Sequence, residues 1–227
     1  MKVDTSEAAF VRFPLRGEWL AVDTPAERVP HHDSNFFAQR YAYDFVRADG
    51  SSTRWCRAPA WRRALGRVPV NAFLAWDEPV LAAFEGRVVA ASDGLPDHLR
   101  INAVIDTVRT LFTLPPAGPD FRRLTGNYVM VHGEPGVALY AHLRCGSLQV
   151  SEGDLVLAGD ELGHVGNSGD TATPHLHFQL MTHADPLTAD GRLCAFAGIE
   201  EFNAGAWRPL ASGVPDAMTP VRCIDGI

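Results

Sequence analysis

The chain has 227 residues, 46% hydrophobic and 21% charged, with a net charge of −7. This is a globular composition, long enough for one sizeable domain or a domain with a large insertion. The negative balance argues against a nucleic-acid surface, because phosphate binding needs clustered Lys and Arg, and no apolar run reaches the length of a membrane span.

The N-terminal stretch has no apolar h-region, so the chain as given shows no secretory signal. Compartment stays open on sequence: cytoplasmic as written, periplasmic or extracellular if a leader has been trimmed. Glu18–Val22 predicts a first short strand, and Pro25 to Pro30 a connector. The pair His31-His32 opens a loop that runs into Tyr41-Ala42-Tyr43-Asp44-Phe45-Val46, a strand by its aromatic and β-branched content. Tyr41, Tyr43 and Phe45 share one face of it; Ala42, Asp44 and Val46 share the other. A carboxylate between small apolar neighbours is costly to bury unless paired or metal-bound. From this segment alone, that reading and an Asp exposed at a strand edge both stand.

Residues 47–76 read as irregular to helical, with Arg54, Arg57, Arg62, Arg63 and Arg67 as a solvated face. Apolar alternation resumes from Pro79 to Ala90, predicting two short strands around Glu85-Gly86. Leu99, Ile101, Val104, Ile105, Val108, Leu111 and Phe112 then recur at helical spacing, with Asp97 as N-cap. They predict an inserted amphipathic α-helix over 97–114, within an insertion at about 95–120 of a single domain. Further strands are expected at Asn127–His132, Val137–Leu143, Leu148–Val150, Glu161–Val165 and His175–Met181, separated by Gly-rich turns. Many short strands with such turns make the chain mainly β, with a compact antiparallel sandwich or barrel-like core. Residues 184–227 carry no clear period. Cys56, Cys145, Cys194 and Cys223 form no C-x-x-C pair and are expected to be free and mostly buried.

The stretch Pro174-His175-Leu176-His177-Phe178-Gln179-Leu180 alternates with period two, placing His175, His177 and Gln179 on one face. Alone, H-x-H is a weak pattern, more simply read as two histidines on a solvent-exposed strand face. Three segments together say more: one of His31 and His32 with Asp44, then His142 in Tyr140-Ala141-His142-Leu143, then His175 with His177. An open zinc site needs about three N or O ligands with water in the remaining place. Zinc lowers the pKa of that water, and two further imidazoles can move its proton and steady an oxyanion. His98, His132, His164 and His183 read as solvated or satisfied histidines, and Cys145 as a buried thiol.

These residues resemble the lysostaphin/LytM-type zinc metallopeptidases of the M23 family. The resemblance rests on an early His followed by Asp44 in Tyr-Ala-Tyr-Asp-Phe, on Tyr-Ala-His-Leu, on Gly166-Asn167-Ser168-Gly169, and on Pro-His-Leu-His-Phe. It implies the duplicated, compact antiparallel β core of that family. It implies Zn2+ held by His32, Asp44 and His177, with His142 and His175 acting in catalysis. The implied activity is a zinc-dependent metallo-endopeptidase that cleaves peptide bonds in peptidoglycan cross-links with a zinc-activated water. Two alternatives belong beside it: a catalytically inactive module of the same fold that binds cell wall or regulates another hydrolase, and a cytosolic metallohydrolase acting on another peptide. The chain departs from the usual pattern in the twelve positions separating His32 from Asp44 and in Gln179, where many members carry Glu and where no ligand role is expected.

Overall fold

A computed structural model describes residues 3–30, 35–50, 52–102 and 120–224. His31, His32 and most of the expected inserted helix lie outside the described residues. The strands are β1 (Ala9–Arg12), β2 (Glu18–Asp23), β3 (Tyr43–Arg47), β4 (Val68–Pro69), β5 (Pro79–Leu81), β6 (Gly86–Ser92), β7 (Arg100–Ile101), β8 (Asn127–Gly133) and β9 (Gly136–Leu143). They continue with β10 (Leu155–Val156), β11 (Glu161–His164), β12 (Leu176–Met181), β13 (Gly191–Arg192), β14 (Cys194–Ala197), β15 (Ile199–Asn203), β16 (Ala206–Pro209) and β17 (Pro220–Cys223). Two short α-helices are described, α1 (Ala60–Leu65) and α2 (Phe121–Thr125). Among the described residues no helix is long and apolar enough to cross a membrane.

The fold is mainly β, as the alternating segments predict. One eleven-stranded sheet runs in the order β10-β6-β8-β9-β12-β3-β2-β17-β15-β16, with β13 paired to β12, and its pairings are antiparallel. The H-x-H strand β12 lies inside this sheet between β9 and β3. One face of the sheet carries the main core, in which Phe13, Tyr43, Phe45, Phe178 and Phe196 pack largely edge to face with ring centroids 5.0–5.7 Å apart. Such ring pairs add about 0.5–1.5 kcal/mol beyond their buried area. Two buried phenols are satisfied there: the Tyr43 hydroxyl donates to the Cys194 carbonyl at 2.6 Å, and the Tyr140 hydroxyl accepts from the Ala83 amide at 2.8 Å.

Three expectations need correction. The helix expected from Asp97 does not begin there. Arg100–Ile101 is a strand paired with β4, and the Asp97 carboxylate accepts from the amides of Cys145 and Asn167 at 2.9 and 2.7 Å instead of capping a helix. Leu148–Val150 is not a strand; only the Gln149 amide reaches the Leu162 carbonyl, at 3.0 Å. The C-terminal region, featureless in sequence, supplies β13 to β17, three of which extend the main sheet beyond β2. Cys56, Cys145 and Cys194 are free thiols, Cys56 and Cys194 buried and Cys145 partly exposed, and burial pushes the Cys194 thiol up to about 12.

Candidate active site

Strand parity builds the floor of the site. On β12, Leu176, Phe178 and Leu180 enter the core, which leaves His177 and Gln179 on the opposite face. On β3, Tyr43 and Phe45 enter the same core, and Asp44 stands directly opposite His177 across the ladder. The Asp44 Oδ1 lies 2.9 Å from the His177 Nδ1 and 3.5 Å from the His175 Nε2. All three side chains are largely buried, so Asp44 is not an exposed edge residue.

His142 arrives by a different route. Ala138 and Tyr140 of β9 face the core, and strict alternation would send His142 there too. Instead Asn127 of β8 pairs with Leu143 while Val129 pairs with Tyr140, so β9 carries one extra residue, and His142 has φ 61°. This is a β-bulge, which re-aims side chains. Leu143 takes the core side. The His142 ring turns towards the other histidines, its centroid 4.6 Å from that of His175 and 6.0 Å from that of His177.

Backbone carbonyls fix the tautomers. The His142 Nδ1 lies 2.9 Å from the Ser168 carbonyl and the His175 Nδ1 lies 2.8 Å from that of Thr173. A carbonyl only accepts, so in each neutral ring Nδ1 carries the proton and Nε2 carries the lone pair. Burial, reinforced by the neighbouring His175 and His177, holds the His142 pKa well below the usual imidazole value, which keeps the ring neutral near pH 7.

The turn behind His142 is tightly set. The Ser168 hydroxyl donates to the Leu143 carbonyl and accepts from the Asn127 amide, at 2.7 and 2.9 Å. A Cβ on Gly169 (φ +80°) would lie 2.5 Å from the Gly126 nitrogen, so only a glycine lets the two segments approach this closely.

The donor chemistry can be tested against a metal. His177 has Asp44 at Nδ1 and the Gln179 Oε1 at Nε2, both at 2.9 Å. Both oxygens are acceptors, so a cation, either a proton or a metal ion, must lie on one side of the ring. Tetrahedral zinc with bonds of ~2.0 Å separates its ligand atoms by about 3.3 Å, within a few tenths of an ångström of the Asp44–His177 spacing. Among the described residues no three His, Cys, Asp or Glu side chains are arranged to hold a metal ion. The remaining expected ligand, His32, lies outside them.

Asp44, His142, His175 and His177 share one cleft of about 340 Å³, walled by Phe37, Phe121 and Leu124. A larger cavity of about 630 Å³, lined by Arg12, Arg16 and Arg47, contains none of these four. His98 contacts the Gly169 carbonyl at 3.1 Å and supports the turn rather than the cleft. Sequence reasoning passed over Asp23, a buried carboxylate opposite Asp44 in register and paired with Arg28 at 2.9 Å. It also discounted Gln179, which period two had placed on the right face.

Residues 116–189 match the family model described as Peptidase family M23. That match spans 74 of the 227 residues. That segment contains His142, His175 and His177; Asp44 lies outside it. The chain is 37% identical over 65 residues to the peptidoglycan DD-endopeptidase ShyA of Vibrio cholerae, a match that spans 28% of this chain and 15% of that protein. Among solved structures it is similar to a zinc containing peptidase from Vibrio cholerae, with 20% identity, TM-score 0.38, and 81% of this chain and 41% of that chain covered. It is also similar to the catalytic domain of the antimicrobial peptidase lysostaphin from Staphylococcus simulans, with 17% identity, TM-score 0.37, and 81% and 88% covered.

Proposed function

We propose that this chain is a zinc-dependent endopeptidase that cleaves peptide bonds in peptidoglycan cross-links. The observation that carries the reading is the pair His142 and His175, each with Nδ1–H held by a backbone carbonyl, their ring centroids 4.6 Å apart in the cleft that also holds Asp44 and His177. Asp44, His177 and His32 would hold the zinc, which when bound supplies a Lewis acid that polarises the scissile carbonyl and acidifies water. The neutral His142 Nε2 takes the proton of the attacking water and returns it to the leaving amine. The His175 Nε2, likewise unprotonated, accepts from the second O–H of that water and orients it, and the imidazolium formed at His142 steadies the oxygen on which charge develops. Phe37, Phe121 and Leu124 exclude water from one wall of the cleft. The substrate class is supported by the M23 segment and by the name of the Vibrio relative.

The test is incubation of the purified chain with peptidoglycan sacculi, reading new amino termini by mass spectrometry and zinc per chain by elemental analysis. About one zinc per chain is expected, lost in Asp44→Ala; His142→Ala should keep zinc and lose turnover. Wild-type zinc content in Asp44→Ala overturns the ligand set. Binding to sacculi without released termini supports the inactive-module alternative.

A further inference from the structure

Gln179 joins two features that the proposed reaction leaves unexplained. One is a buried amide on the site face of β12, only 2% exposed. The other is the Phe36–Tyr41 turn, in which Phe37 and Ala38 both adopt left-handed backbone, φ 55° and 60°, without being glycine. Side chains with a Cβ disfavour that region, so something else holds the turn.

The hydrogen bonds supply the link. The Gln179 Nε2 donates to the Phe37 carbonyl at 2.7 Å, and its Oε1 faces the His177 Nε2 at 2.9 Å. The orientation of the amide is forced, because the Phe37 carbonyl only accepts and must meet the nitrogen end. The oxygen end is therefore left for His177, whose Nε2 must carry a proton. That puts the other nitrogen, Nδ1, on the side of Asp44. Metal-binding imidazoles characteristically donate their second N–H to such a partner, which fixes ring orientation.

We propose that Gln179 is a positioning residue: it holds His177 as the Nε2–H tautomer, with Nδ1 directed at a cation shared with Asp44, and it anchors the Phe36–Tyr41 turn to the same ring. The cation half of this inference rests on the proposed zinc site; the tautomer half does not. A carboxylate in place of the amide keeps an acceptor for His177 but sets an acceptor against the Phe37 carbonyl. The two halves of the amide can thus be separated by substitution.

The experiment uses the full chain, with zinc as the probe, in Gln179→Leu and Gln179→Glu. Zinc affinity is read by competition with a chromophoric chelator, and the His177 ring by long-range 15N–1H NMR, with circular dichroism and thermal unfolding to check folding. Gln179→Leu should weaken zinc binding roughly 10- to 100-fold and lose the His177 Nε2–H signature. Gln179→Glu should recover most of the zinc affinity and the Nε2–H signature while the amide resonances of residues 36–41 shift. A folded Gln179→Leu chain with wild-type zinc affinity overturns the positioning role, as does a wild-type spectrum in which the His177 Nε2 carries no proton. If Gln179→Leu does not fold, Gln179→Glu decides, since loss of zinc binding in that folded variant contradicts the acceptor role. Wild-type protein that binds no zinc counts against the proposed activity, and the NMR signature then decides the Gln179 role alone.

Discussion

The carboxylate of Asp44 and the imidazole of His177 meet across one rung of the β3–β12 ladder, 2.9 Å apart, from positions 133 residues apart in the chain. Two anionic or lone-pair donors held this close repel unless a cation lies between them. Zinc at a hundredfold excess over its Kd would stabilise the native state by about 2.7 kcal/mol. The expected outcome is a thermal midpoint that falls by several degrees on adding a chelator and recovers with zinc. Asp44→Asn should remove most of that response. A chelator-insensitive wild type, seen by calorimetry, would contradict a zinc site at this rung.

The turn that carries Ser168 should tolerate no side chain at Gly169. A Cβ there meets the Gly126 nitrogen at 2.5 Å and the Leu124 carbonyl at 2.8 Å. Gly169→Ala is expected to cost about 1–3 kcal/mol in unfolding free energy. It should also lower sacculus turnover by on the order of 10²-fold, because it moves the carbonyl that holds His142. Zinc content should stay at the wild-type level. Gly146→Ala is the control, since Gly146 also has a positive φ (+74°) but nothing within 4 Å; its loss should be about 1 kcal/mol or less, with turnover kept.

A pH-dependent contribution comes from the outer end of β9. The His164 Nδ1 lies 2.7 Å from Asp77 and its Nε2 lies 3.0 Å from Glu161, while Arg144 reaches Asp77 at 2.6 Å. Burial works against the charged imidazole, but the bonds to Asp77 and Glu161 outweigh it, and the His164 pKa is raised. A proton is then held more tightly in the native than in the unfolded chain. The stabilisation is complete below the unfolded value of about 6.5 and is lost as pH rises through the raised folded value. An NMR titration of the His164 ring should show the raised midpoint, and Asp77→Asn should bring it down. A midpoint at or below the ordinary value in the wild type would exclude this ion pair.

Legibility of the site in the sequence followed period two. The facings of Asp44 between Tyr43 and Phe45, and of His177 between Leu176 and Phe178, follow from strict alternation against one core, while the Asp44 segment alone leaves its burial open. His142 could be found by residue type, but its facing could not, since a bulge reverses parity without changing composition. The C-terminal strands were hidden for another reason. Cys194, Ala195 and Phe196 are buried on both faces, and Ala206–Pro209 is mostly exposed on both, so neither alternates. The start of the expected helix failed because Ile101 packs with Val68 and Phe73 in a separate small cluster. Its apolar spacing there served a strand pair.

The bulge at His142 makes one property of the chain a matter of counting. Adding a single residue to β8 between Asn127 and Val129 would close the bulge while leaving every residue of β9 in place. It would nonetheless rotate the imidazole into the aromatic interior and present leucine to the cleft. Length variation in this short run should therefore be far more damaging than substitution, and natural drift at this site should change letters before it changes spacing.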